Sequence, residues 1–367
     1  MSALMEWFGP VTVMQRAIIG IAAAVIVLLL LVGLTALLVG LKRAVLAWVV
    51  VLGLVVATLV FLPVSTDGLT SSPDPTTDYA GAVARFEAER AKTKEPLNPL
   101  CEPKLMGHGQ RTEKVVVLVH GVSSCPQAYV DFAPILFDRG HNVLVLRMPQ
   151  NGFADRATDA LRFMTAQQLA EFGDDAVDMA TGLGDEVIFV GISAGGTITG
   201  WVAQNRSDVD RAVLLAPFFG LHGFGPDVNR MLMRAMLLLP DVSIWKDPVM
   251  RENADNVMPH AYKRQSTTAT GEIMRLGYAT WRQATEKKAA TAEIVVVTNE
   301  ADTAVSNSTT DAVADAWTDQ GVAVTTYVFD ASHGLGHEII DPLEPGADPA
   351  LTYPIVLDFI ETGQHAD

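Results

Sequence analysis

The sequence predicts an α/β protein with a mostly parallel sheet, preceded by a two-helix apolar hairpin. Three observations lead there. Short continuous apolar runs alternate with helical periodicity through the last two thirds of the chain, as strands buried on both faces and their covering helices should. Gly191-Ile192-Ser193-Ala194-Gly195 follows one such run, Glu186-Val187-Ile188-Phe189-Val190, and opens a small-residue helical segment. At the front, residues 17–41 and 44–62 carry no charge, and each is long enough to cross a hydrocarbon core, which needs about 20 residues.

One helix through both stretches would bury Lys42 and Arg43 in mid-bilayer, which is costly. Two transmembrane helices joined by a tight turn at Lys42-Arg43 are therefore expected. Both stretches exceed the apolar core of a cleaved signal peptide. The turn carries two bases. The preceding flank has Arg16 and Glu6, and the following segment has Asp67, Asp74 and Asp78. Cytoplasmic loops favour Lys and Arg. The turn is thus expected in the cytoplasm, in an integral membrane protein with the rest of the chain on the non-cytoplasmic side.

Residues 1–62 hold Arg16, Lys42 and Arg43 against Glu6, so residues 63–367 carry 23 basic and 41 acidic side chains, a net of −18. Such a charge argues against nucleic acid or anionic headgroups as partners of that part. The oligomeric state has no signature. The two cysteines, Cys101 and Cys125, flank one expected strand. Either they form a disulfide, which would fit an oxidising compartment, or they are two buried thiols. Neither lies in a C-x-x-C pattern, no His/Cys cluster resembles a zinc site, and no phosphate-binding loop is present.

Residues 63–96 read as a Pro/Ser/Thr/Asp-rich linker, Pro63 to Pro75, and a polar helix whose most periodic part is Asp78 to Arg90. Residues 97–362 suit one α/β domain, with 363–367 as a tail. Strands are expected at 115–119, 142–146, 187–190, 212–215, 294–297 and 322–328, with helices including 166–179 and 309–317. No strand signal appears between Phe218 and Ala290, so residues 219–290 are expected to form a helical cap. Its Met231, Met233, Met236, Met250, Met258 and Met274 suit either an acyl chain or simple packing.

Strand, tight turn and helix around Ser193 would lift its hydroxyl clear of the sheet as a nucleophile. Such a serine needs a histidine base, oriented by a carboxylate. The acid should follow the strand at 294–297, where Asp302 is favoured over Glu300. The base should follow the last strand, where His337 is favoured over His333. His120 is expected to shape its loop, and His108, His141, His222, His260 and His365 carry no pairing signal. The oxyanion donors should be the backbone N–H groups of Ala194, at a helix start, and Val122, in His120-Gly121-Val122-Ser123.

These pieces resemble the α/β-hydrolase superfamily: Val119-His120-Gly121, the Ser193 pentapeptide, Asp302 with Val305 three residues on, and His337-Glu338, in the order Ser, acid, His. Within it, His120-Gly121-Val122-Ser123-Ser124-Cys125-Pro126 is similar to a bacterial esterase/lipase-like group in which such a segment is paired with an upstream cysteine. The His-Glu-Ile segment is similar to that of monoacylglycerol-lipase-like serine hydrolases. The resemblance covers about residues 97–362. It implies an α/β-hydrolase fold and a serine esterase acting on a small-molecule or lipid ester through a Ser-His-Asp triad, with no metal or organic cofactor. An acyltransferase would use the same residues, and a non-catalytic binding protein could keep the fold.

Overall fold

The computed structural model describes residues 30–37, 40–254 and 256–365. It divides into two compact units, Met1–Pro63 and Val64–Asp367.

In the first unit, residues 30–37 are helical, and residues 17–29 of the first apolar stretch lie outside the described residues. Helix α1, Leu41–Phe61, has a mean hydropathy of 2.8 and is the one helix among the described residues long and apolar enough to cross a membrane. Its 21 residues span about 30 Å. The chain breaks earlier than expected, at Gly40 (φ 85°), and Lys42 and Arg43 sit in the first turn of α1. Glycine takes a positive φ freely, whereas Lys and Arg are good helix formers, so Gly40 is the natural break. The Trp48 indole N–H donates to the Thr35 hydroxyl at 3.1 Å. One continuous helix would hold those residues roughly 20 Å apart, so the chain reverses between them.

The second unit is built on a seven-stranded sheet in the order β1-β3-β2-β4-β5-β8-β9. Its strands are β1 (Lys104–Met106), β2 (Thr112–Val119), β3 (Asn142–Leu146), β4 (Gly184–Ile192), β5 (Arg211–Leu215), β8 (Glu293–Asn299) and β9 (Ala323–Phe329). All neighbours are parallel except β1, which runs antiparallel to β3 at the edge. Residues Val115 to Val119 of β2 are fully buried, which explains their unbroken apolar run. Val115, Val117 and Val119 face a core with α4 (Ala166–Ala180), α5 (Ala194–Asn205) and α7 (Thr267–Glu286). Val116 and Leu118 face one with α3 (Phe132–Asp138) and α9 (Pro349–Thr362). From β2 the chain moves to β3 on one side, then returns past β2 to β4 on the other. That reversal opens a crevice at the C-terminal ends of β2 and β4, where ligands of open α/β sheets bind.

The insertion between β5 and β8 is not purely helical. Besides α6 (Pro226–Leu238) and α7 it contains a two-stranded antiparallel sheet, β6 (Ser243–Trp245) with β7 (Arg264–Ser266). Three-residue strands are too short to show alternation, so they leave no mark in the pattern.

Residues 64–78, which precede α2 (Tyr79–Lys92), are strapped onto the body rather than hanging free. Leu69 is buried and its carbonyl accepts the Trp201 indole N–H at 3.0 Å. Ser71 and the Ser72 N–H bond to the Asp174 carboxylate, and the Asp74 N–H bonds to Asp178. Both acids lie on α4 and face Arg206, the residue that ends α5. Its fully buried guanidinium bonds to Asp174 (2.9 Å), Asp178 (2.6 Å) and Asp208 (2.6 Å). Removing one partner of a buried ion pair strands the others. Arg206→Ala should therefore destabilise this unit by about 3–5 kcal/mol, read from urea unfolding followed by tryptophan fluorescence.

Candidate active site

The turn between β4 and α5 carries Ser193 at φ 56°, ψ −118°, a conformation that an L-residue rarely adopts. Neighbouring backbone locks it there: the Ser193 N–H donates to the Leu215 carbonyl (2.9 Å), and the Ser193 carbonyl accepts from the Phe218 N–H (3.0 Å). The flanking glycines are steric necessities. A Cβ on Gly191 would fall 2.2 Å from the Gly195 carbonyl oxygen, and one on Gly195 would fall 2.2 Å from that of Val119.

His337 lies in the loop after β9. Its Nε2 is 2.8 Å from Ser193 Oγ, and its Nδ1 is 2.6 Å from Asp302 Oδ2. Asp302, in the loop after β8, is buried, and its other oxygen accepts the N–H groups of Ala304 (2.7 Å) and Val305 (3.2 Å). The carboxylate is thus fixed before it meets the imidazole. Burial opposes charge on both partners, but their mutual hydrogen bond and attraction win. The His337 pKa is raised above its ordinary 6.5, and that of Asp302 is lowered.

The alternatives lie elsewhere. Glu300 is exposed and accepts the Ala331 N–H at 3.2 Å, and His333 is exposed in the short turn Ala331–His333. Neither bonds to Ser193, Asp302 or His337.

Ala194 starts α5, and Val122 lies in the loop after β2. Neither backbone N–H donates to a protein acceptor among the described residues. Gly121, beside Val122, is packed so closely that a Cβ there would sit 3.2 Å from Ser193 Cβ. One of these two N–H groups thus directly follows Ser193, at a helix N-terminus that favours negative charge, and the other follows the glycine packed against Ser193. No group of three metal-ligating side chains occurs among the described residues.

A model of the alpha/beta hydrolase family matches residues 116–345, more than half of the chain. This chain belongs to that family. Similar solved structures include a metagenome-derived lipolytic enzyme, with 17% identity, 72% of this chain and 99% of that one covered, and a TM-score of 0.54. The monoacylglycerol lipase of Paleococcus ferrophilus has 17% identity, 71% and 98% coverage, and a TM-score of 0.53. A soluble variant of the monoglyceride lipase of Saccharomyces cerevisiae, in complex with a substrate analogue, has 14% identity, 68% and 86% coverage, and a TM-score of 0.51. At these identities the likeness is one of fold. No curated protein matches.

Several residues brace this family member's site, and of these the sequence points only to His120. Asn151, fully buried, accepts the Ser123 N–H at 3.0 Å and so holds the loop of Val122. His120 is fully buried. The Met148 N–H donates to its Nε2 at 3.1 Å, which leaves Nδ1–H to donate to the Gly121 carbonyl at 2.8 Å. Burial pushes its pKa down to about 3, so it stays neutral. Asn299 donates to the carbonyls of Leu335 and Gly336, just before His337. Three histidines without an expected partner face a carboxylate: His260 pairs with Asp341 (2.8 Å), His141 with Glu361 (2.9 Å) and His365 with Asp358 (2.7 Å). His260 and Asp341 are fully buried and tie the cap to the loop of His337. Of the cap methionines, Met233 and Met274 line a depression with Phe219, Tyr278 and Trp281, but neither Ser193 nor His337 lines it.

Cys101 and Cys125 are bonded, with sulfurs 2.11 Å apart and the two residues 24 positions apart in sequence. The bridge joins the segment before β1 to the end of the Val122 loop, and the Cys101 sulfur lies 3.5 Å from the His260 carbonyl. Closing a loop of that length is worth about 3 kcal/mol in the chain-entropy picture. Replacing both cysteines with serine should lower the melting temperature by a corresponding margin. Unreduced, denatured wild-type protein should take up no thiol-alkylating reagent.

Proposed function

We propose that this chain is a membrane-anchored serine hydrolase that cleaves carboxylic esters, those of acyl chains foremost. The observation that carries the reading is the single hydrogen-bonded line from Ser193 through His337 to Asp302, with the free N–H groups of Val122 and Ala194 beside it.

Ser193 Oγ attacks the ester carbonyl while His337 Nε2 takes its proton. Asp302 holds the Nδ1–H and stabilises the imidazolium. The carbonyl oxygen, now negative, accepts from Val122 and Ala194. As the tetrahedral intermediate collapses, His337 returns the proton to the leaving alcohol, and the acyl group stays on Ser193. Water then attacks, His337 again accepts the proton, and the carboxylic acid leaves with Ser193 restored. Since His337 must start neutral and its pKa is raised, the rate should climb with pH through a value above 6.5.

The length and apolarity of α1 support a membrane anchor. Lys42 and Arg43 at its start, with Asp67, Asp74 and Asp78 beyond its end, support a second unit on the non-cytoplasmic side, where a Cys101–Cys125 bridge would persist. The apolar leaving or acyl group is supported by the lipolytic activity named for the similar structures.

The test is hydrolysis of p-nitrophenyl esters from acetyl to palmitoyl. Ser193→Ala should abolish turnover with folding intact, and His337→Ala should cost on the order of 10³-fold or more. His333→Ala should leave the rate near wild type; the opposite ranking of the two histidines would sink the assignment. For topology, alkaline phosphatase fused after Asp367 should be active. Activity only of a cytoplasmic reporter at that point would reverse the orientation.

A further inference from the structure

Glu338 follows His337 directly and takes no part in the mechanism above. Its side chain is only 8% exposed, and Oε2 is buried with no hydrogen-bond partner. Gly121 shows where it lies. A Cβ built on Gly121 would fall 2.1 Å from Glu338 Oε1 and 3.2 Å from Ser193 Cβ. Carboxyl and nucleophile converge on one point, beside the loop that supplies the Val122 N–H.

The groups around it give a carboxylate little support. From its own loop come His337, Asp341 and Glu344, and from the cap comes Lys246. Beneath, the Tyr129 hydroxyl is spent on the Val119 carbonyl at 2.9 Å. A buried anion without a hydrogen bond is among the most costly arrangements a fold can hold, so the proton stays on. Burial pushes the Glu338 pKa up to about 7. The attraction of His337 and Lys246 works against this, and the repulsion of Asp341 and Glu344 works with it.

We propose that Glu338 is a positioning residue whose neutral carboxyl fills the space beside Gly121 and holds the oxyanion loop against Ser193, and whose ionisation stops turnover. The inference rests on the serine mechanism proposed above. Two physical consequences of ionisation support it. The new charge would stand close to where the carbonyl oxygen must become negative, and would oppose it. It would also hold a proton on His337, which could then no longer accept one from Ser193. With one proton between the two residues, the working arrangement places it on Glu338 and leaves His337 bare. The pair titrates as a unit.

The test is the rate at which a fluorophosphonate labels Ser193 in the full chain in detergent, from pH 5 to 9, for wild type, E338Q and E338M. Labelling needs the base and the oxyanion hole but no particular ester. Wild type should give a bell-shaped profile. E338Q should keep the rising limb, because the hydrogen bond and charge of Asp302 still act on His337. It should lose the falling limb and label about tenfold or more faster than wild type at pH 9. E338M, neutral and of similar volume, should show the same loss of the falling limb if E338Q folds poorly. A fall in E338Q at the wild-type pH, or a uniform drop at every pH in both variants, overturns the inference alone. No labelling of wild type at any pH overturns the serine mechanism and this inference together.

Discussion

Everything at this site depends on holding Ser193 in a backbone conformation that the chain would otherwise avoid. A positive φ at a non-glycine residue costs about 1–3 kcal/mol and persists only where the surroundings over-determine it. Here the surroundings are the ends of three parallel strands. β2 brings the Val119 carbonyl against Gly195, and β5 accepts the Ser193 N–H through Leu215. β4 ends in the turn itself. The sheet is therefore both the scaffold of the fold and the clamp on Ser193.

Other strained residues gather nearby. Among the described residues, positive φ at non-glycine positions occurs at Ser123, Gln150, Ser193, Ala216 and Arg251. The Ser123 N–H is held by Asn151, the Gln150 carbonyl accepts from the Tyr262 hydroxyl, and Ala216 follows the strand that clamps Ser193. Arg251 lies in the cap; at the other four positions the strain lies in the loops that end β2, β3, β4 and β5 and is balanced by buried polar contacts rather than by apolar packing. Such networks make a site rigid when complete and fragile when one member is lost.

That the loops after β4, β8 and β9 carry the important side chains could be read from the sequence, because each follows an unbroken apolar run that only a doubly covered parallel strand requires. Asp302 differs from Glu300 in a way that the sequence also hints at: its short side chain can turn back onto N–H groups two and three residues on, as it does with Ala304 and Val305. What could not be read falls into three classes. Elements of three residues, such as β1, β6 and β7, have no periodicity. Bracing contacts such as Asn151 to Ser123 and His260 to Asp341 join residues far apart in sequence, and no local rule pairs them. The early turn at Gly40 is a third kind of miss, in which the charges of Lys42 and Arg43 outweighed the conformational preference of the glycine before them.

The strap of residues 64–78 separates the boundary of resemblance from the boundary of folding. The family match begins at residue 116, yet Trp201 and the Asp174 and Asp178 carboxylates on α4 find partners among residues 69–74. A chain trimmed to the matched region would keep Ser193, Asp302 and His337. It would also expose the apolar seat of Leu69 and leave the Trp201 indole without its acceptor, on the helix that Ser193 begins. A unit that keeps the support of this helix therefore starts at the strap, some fifty residues ahead of the region that the family model matches.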